Sequence, residues 1–104
     1  MSDYIFVITT IDKKEKAQAI ARTLVERRLA ACVQILPIAS TYRWKGEIEE
    51  AQEWMCICKT RRAVFEDVEL AIKELHSYET PEIVAIPIEA GGAEYLSWLD
   101  QEVK

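Results

Sequence analysis

Two runs in this 104-residue chain, Tyr4-Ile-Phe-Val-Ile8 and Trp54-Met-Cys-Ile-Cys58, are apolar at consecutive rather than alternate positions. Strand side chains point to the two faces in turn, so a β-favouring run of this kind predicts a strand covered on both sides. A chain with two such strands must supply cover for both faces of one sheet. That requirement limits the ways the remaining residues can be arranged.

The intervening segments supply helices for one face. Asp12 stands three residues before Glu15, a capping-box-like start. Ala17, Ile20, Ala21, Leu24 and Val25 follow at helical spacing, opposed by Arg22, Glu26 and Arg27, and this helix is predicted to end near Arg28. Residues 31–36 read as a second strand, broken or bulged at Pro37, and residues 40–44 resume the extended pattern. Lys45-Gly46 provides a tight turn into Glu47 and Ile48, and a third strand runs over residues 54–59. The hairpin is long for so small a domain, and long edge strands invite pairing with a neighbour. A second helix is predicted over residues 62–75, with Val64, Val68, Ala71, Ile72 and Leu75 on its apolar side. After a turn at residues 76–81 come a fourth strand over residues 82–89 and a short helix opened by Gly91-Gly92, with Tyr95, Leu96, Trp98 and Leu99 on its buried side.

The order β-α-β-β-α-β plus a final helix, with right-handed crossovers, predicts an antiparallel four-stranded sheet with both main helices on one face. This is an α+β, ferredoxin-like sandwich forming a single domain over residues 1–104. Its other face keeps apolar residues that neither main helix covers, which points to an oligomer packed through bare sheet faces and overlong hairpins.

Charge and composition narrow the function. Eighteen Asp and Glu against 13 Lys and Arg give a formal charge of −5, which disfavours nucleic acid as a partner. No stretch approaches the roughly 20 apolar residues that span a bilayer, so no membrane role is expected. Three cysteines, an odd number, with no export signal at the start, suit a reducing cytoplasm. There is no Cys-x-x-Cys and no Gly-rich phosphate loop.

A few residues retain chemical interest. Cys56 and Cys58 share one strand face and suit a buried apolar role better than a soft-metal site. Cys32 follows Ala30-Ala31, where close packing is expected. His76 is the only histidine; Tyr78 and Glu79 follow it, and imidazole beside carboxylate suits a divalent transition metal. Without a metal, the same histidine suits the end of a helix, where it faces the negative end of the dipole. Lys59, at the end of the third strand, is placed to point a cation into a cleft with Tyr78 or Glu79. Tyr42, Trp44, Trp54 and Trp98 read as packing or interface aromatics, and Glu47, Glu49, Glu50 and Glu53 as a solvated acidic face.

Several blocks in one order carry a resemblance. These are Leu24-Val-Glu-Arg-Arg-Leu-Ala-Ala-Cys-Val33, Ser40-Thr-Tyr-Arg-Trp-Lys-Gly-Glu-Ile48, Lys59-Thr60, His76-Ser-Tyr-Glu-Thr-Pro-Glu-Ile83 and Tyr95-Leu-Ser-Trp98. In them the chain resembles the CutA divalent-cation tolerance family over almost its whole length. The resemblance implies a ferredoxin-like protomer in a homotrimer of PII-like build, linked to copper and other divalent cations, with no enzymatic reaction and no cofactor required for folding. Family copper ligands include a first-strand Cys and paired histidines before the Tyr turn. Here Ile8 and Leu75 stand at two of those positions, only His76 matches, and Ser77 replaces the usual Pro. The resulting expectation is metal binding by His76 and Glu79 in an intersubunit cleft, with Tyr78, Lys59 and Cys32 as neighbours. The alternative is a PII-like signalling trimer taking an anionic metabolite through Lys59.

Overall fold

β1 (Tyr4–Ile11) lies inside a four-stranded antiparallel sheet of order β2-β3-β1-β4 in the computed structural model, which describes residues 3–104. The chain continues through α1 (Lys14–Glu26), β2 (Cys32–Trp44), β3 (Glu47–Arg61), a 3-10 turn (Arg62–Val64), α2 (Phe65–Leu75), β4 (Val84–Pro87) and α3 (Ala93–Glu102). This is the ferredoxin-like α+β arrangement expected from the element order.

The ladder register explains why β1 and β3 are apolar at every position. Ile5, Val7 and Thr9 face Thr60, Cys58 and Cys56 across the β1–β3 ladder, and all six are buried. Ile5, Val7, Cys56 and Cys58 share one core with Ala17, Ile20 and Leu24 of α1 and Val68 and Ile72 of α2. The Cys56 thiol approaches the Ala17 carbonyl oxygen at 3.8 Å, which places α1 directly over β3. The alternate residues Phe6, Ile8 and Thr10, opposite Lys59, Ile57 and Met55, point to the other side.

α1 starts at Lys14 without a side-chain cap on Lys13, and Asp12 pairs instead with Lys16 at 3.6 Å. It ends in a Schellman turn: the Arg28 N–H donates to the Val25 carbonyl and the Leu29 N–H to the Leu24 carbonyl, with Arg28 at φ 59°. Val25, expected toward the core, is 43% exposed.

Pro37 does not break the second strand. β2 runs unbroken through it because β2 is the sheet edge, where a residue without an N–H costs no ladder bond on the open side. β1 ends opposite Trp54, and β2 and β3 then continue alone for seven paired rows, from Ile38–Glu53 to Trp44–Glu47. This two-stranded arm ends in Lys45-Gly46, both at positive φ (50° and 84°) as a type I′ turn requires, and helps stretch the molecule to 45 Å.

The fourth strand is shorter than its sequence suggests, at four residues. The final helix also departs from expectation: only Leu99 of its four apolar residues is buried, while Tyr95 and Trp98 are 43% and 40% exposed. α3 lies on the side away from α1 and α2. The Tyr4 hydroxyl donates to Asp100 at 3.3 Å, and the Arg28 guanidinium donates to the Gln101 and Glu102 carbonyls at the helix end. One end of the second sheet face therefore has cover, whereas Leu36, Val84 and Ile86 on that face stay 39–46% exposed.

Candidate functional site

The turn after α2 is folded over the end of β1 by His76. The residue leaves the helix in extended conformation, and its Nε2 lies 2.7 Å from the Thr10 carbonyl oxygen. The Tyr78 N–H donates to Nδ1 at 3.1 Å. A filled Nδ1 acceptor leaves the proton on Nε2, where it donates to Thr10, so these bonds select one neutral tautomer. Both ring nitrogens are thus engaged inside the chain. The Tyr78 ring stands edge-on to the imidazole at 4.7 Å.

Tyr78 then turns its hydroxyl to β3. It donates to Glu53 Oε2 at 2.6 Å, and the Glu53 side chain is buried at the cleft wall. Burial, reinforced by the bond to Glu53 and its negative charge, pushes the phenol above its ordinary value, so it remains a neutral donor. Glu79, the next residue, is exposed and lies 4.0 Å from the Lys45 ammonium at the hairpin turn. Between arm and turn opens a cleft of about 580 Å³. Ser40, Thr41, Tyr42 and Trp44 of β2 form one wall; Thr10 and Glu53 lie at the sheet end, and Tyr78, Glu79 and Glu82 close it from the turn.

The structure brings His76 and Tyr78 into contact and sets Glu79 on the cleft rim, but Tyr78 bridges to Glu53 and not to Glu79. Lys59 and Cys32 are opposite each other in the ladder, six residues along β3 from Glu53, or about 20 Å. Lys59 holds its ammonium 5.8 Å from the Phe6 ring centroid and 5.6 Å from that of Tyr95. Within one chain, then, neither Lys59 nor Cys32 reaches the cleft. Cys56 and Cys58 are buried; burial lifts the Cys56 thiol to about 11 and raises Cys58 as well, so both remain protonated rather than presenting thiolate ligands. Among the described residues, no group of three or more His, Cys, Asp or Glu gathers closely enough to hold a metal ion.

Glu53 is the residue that reading by composition placed wrongly. It sits in a run of glutamates, which suggests a solvated face, yet it is 4% exposed. Its parity puts it with Met55 and Ile57 on the sheet face away from α1 and α2, and the ladder register is what brings it to the Tyr78 hydroxyl.

A family model described as CutA1 divalent ion tolerance protein matches residues 5–102. A relative from Archaeoglobus fulgidus named divalent-cation tolerance protein CutA is 48% identical, covering 95% of this chain and 97% of its own. One of the same name from Thermus thermophilus is 49% identical over 89% of this chain and 91% of its own. A solved structure from Archaeoglobus fulgidus, described as a periplasmic divalent cation tolerance protein CutA, superposes with a TM-score of 0.95 at 46% identity and covers 97% of this chain and 99% of its own.

Proposed function

The chain belongs to the CutA1 divalent ion tolerance family, and from that membership we propose that it is a homotrimer that binds divalent metal ions, copper foremost, without catalysing a reaction. Each copy contributes one domain over residues 1–104, and the trimer works in the cytoplasm.

The observation that carries this reading is the unfinished state of one chain. Leu36, Val84 and Ile86 leave apolar surface on the sheet face that α3 covers only at one end, and the seven-row arm extends past the sheet body with a free edge. The described residues of one chain gather no metal-sized donor cluster, so a metal site needs donors from a second copy. Glu79, on the cleft rim, and His76, in the same turn, are the proposed contributors. His76 ligates by exchanging one of its two internal bonds for the metal, and Lys59 and Cys32 enter from the neighbouring copy. A neutral imidazole is the ligating form, so affinity falls on acidification. An anionic metabolite finds less support, because the cleft carries Glu53, Glu79 and Glu82 while Lys59 lies between two aromatic rings elsewhere.

Calorimetric titration of Cu²⁺ into the wild type, His76→Ala and Glu79→Gln tests the assignment. Both variants are expected to weaken binding at least about tenfold, the loss of one ligand-strength contact. Identical isotherms for His76→Ala and wild type would remove His76 from the site. Light scattering over a dilution series tests the trimer; a folded single chain at low concentration counts against it.

A further inference from the structure

α3 is held very differently at its two ends. Its last turn is pinned. Leu99 and Val103 are buried, the Tyr4 hydroxyl donates to Asp100, and the Arg28 guanidinium donates to the Gln101 and Glu102 carbonyls. The Lys104 N–H donates to the Arg28 carbonyl at 2.9 Å, and the Arg61 guanidinium donates to the Lys104 carbonyl. Arg28 makes these contacts from a φ of 59°, a conformation that suits glycine better than arginine.

The first turns have no such anchorage. Gly92 precedes α3 without a side-chain cap, and Ala93, Glu94, Ser97 and Trp98 are exposed. Among the described residues, no side chain from Ala93 to Trp98 forms a hydrogen bond or an ion pair. Their electrostatic tie to the sheet is half-buried Lys59, whose ammonium lies 5.6 Å from the Tyr95 ring centroid and 5.8 Å from that of Phe6. A ring on the helix and a ring on β1 thus share one cation, and among the described residues Lys59 has no carboxylate partner.

We propose that the first two turns of α3 are a lid over this end of the sheet, with Lys59 as its latch and the Arg28-capped last turn as its fixed end. An ammonium–ring contact at a partly exposed site shifts such an equilibrium about two- to fivefold, enough to favour closure and too little to prevent opening. An acidic group that draws the Lys59 ammonium off Tyr95 therefore releases the lid and bares Phe6. The latch belongs to one chain and needs neither metal nor a second copy. Where Lys59 serves a neighbouring cleft, as proposed above, leaving Tyr95 is the step that opens the lid.

Amide-resolved hydrogen exchange of the full chain tests it, by comparing residues 96–98 with residues 101–103. The Leu96 N–H already bonds to the Gly92 carbonyl and the Val103 N–H to that of Leu99, so both groups report helical bonds. Residues 96–98 should exchange at least about tenfold faster than residues 101–103. Tyr95→Leu should speed the first group a further two- to fivefold or so and leave the second unchanged. Lys59→Met, which keeps the apolar stem and removes the charge, should do the same, and the two together should do no more than either alone. Arg28→Gly, which suits the positive φ, should free the fixed end and erase the difference between the groups. Equal exchange along α3 in the wild type overturns the lid, whether both halves are pinned or a second copy covers them. Additive effects of Tyr95→Leu and Lys59→Met overturn the latch. Should Arg28→Gly fail to fold, positions 59 and 95 still decide the matter. Copper binding without a latch sinks only the lid; a latch without copper binding sinks only the metal reading.

Discussion

Neighbouring residues of the same strands meet opposite surroundings. Ile5, Val7, Cys56 and Cys58 lie under α1 and α2 at 0–1% exposure. Phe6, Ile8 and Ile57, each one residue away, face the side that carries only α3 at one end. The helix-covered face is finished by the chain itself, with side chains interlocked around a closed core. The other face combines exposed Leu36, Val84 and Ile86 with the polar group of Thr10, Glu53, His76 and Tyr78. Strand composition is similar on the two sides, so the difference lies in what else the chain brings to each. Chemistry collects on the face whose cover is incomplete, because only there does a buried carboxylate adjoin open space.

The same substitution on the two faces tests this contrast most severely. Val7→Asp puts an unpaired charge at a fully buried position and should prevent folding at any protein concentration, a cost above about 4 kcal/mol. Circular dichroism of the purified variant checks it; a native spectrum would mean that the core under the helices is not closed. Ile86→Asp changes a residue 46% exposed in one chain. It should act through assembly, lowering the mass seen by light scattering and the melting temperature together. Unchanged mass and melting temperature would mean that the uncovered face meets only water.

Much of the covered face was legible in sequence and much of the open face was not. The doubly apolar runs at 4–8 and 54–58 located the central strands, and helical periodicity located α1 and α2 through Ile20, Leu24, Val68 and Ile72. Those signals come from burial within one chain, which local pattern records directly. Pro37 misled because edge position, a property of the finished sheet, decides whether a proline is tolerated. Tyr95 and Trp98 misled because an apolar residue facing outward has the same letter as one facing inward. At the site, His76 and Tyr78 stood out as a pair, but Glu53 is 25 residues from Tyr78 and became visible only through the ladder register. Lys59 was expected in the cleft from its place at a strand end; the register puts it at the far end of β3.

The Tyr78–Glu53 bond measures how firmly the open face is held. Tyr78→Phe leaves a buried carboxylate without its donor and should cost about 1–3 kcal/mol in urea unfolding. Glu53→Gln should cost less than Tyr78→Phe, since an amide still accepts from the phenol. A double-mutant cycle yields the coupling between them, and zero coupling would mean that the bond contributes no stability. The pH dependence compares the faces again. Tyr78 on the open face and Cys56 and Cys58 on the covered face all have raised folded values, so each holds its proton to higher pH than in the unfolded chain. Their contribution is intact below the unfolded values and is lost as pH rises through the folded ones. Stability should therefore fall from about pH 9, the thiols acting first and Tyr78 later; Cys56→Ala should flatten the part between about 9 and 11. A flat alkaline limb in the wild type would contradict both burials.

The smallest effect belongs to the outer side of α1, where Arg22 and Glu26 pair at 2.6 Å with side chains 83% and 60% exposed. A short distance alone suggests strength, but water screens such a pair, and holding two long side chains in register costs entropy that offsets the attraction. Arg22→Ala should shift urea unfolding by no more than about 0.5 kcal/mol, part of it recovered through the helix propensity of alanine. The comparison of faces needs this null result, because a helix exterior that faces solvent has nothing to lose. A loss several times larger, measured at two protein concentrations, would mean that Arg22 is covered in the assembled protein. The helices would then be an interface as well as a roof, and the incomplete sheet face would no longer be the only surface asking for a partner.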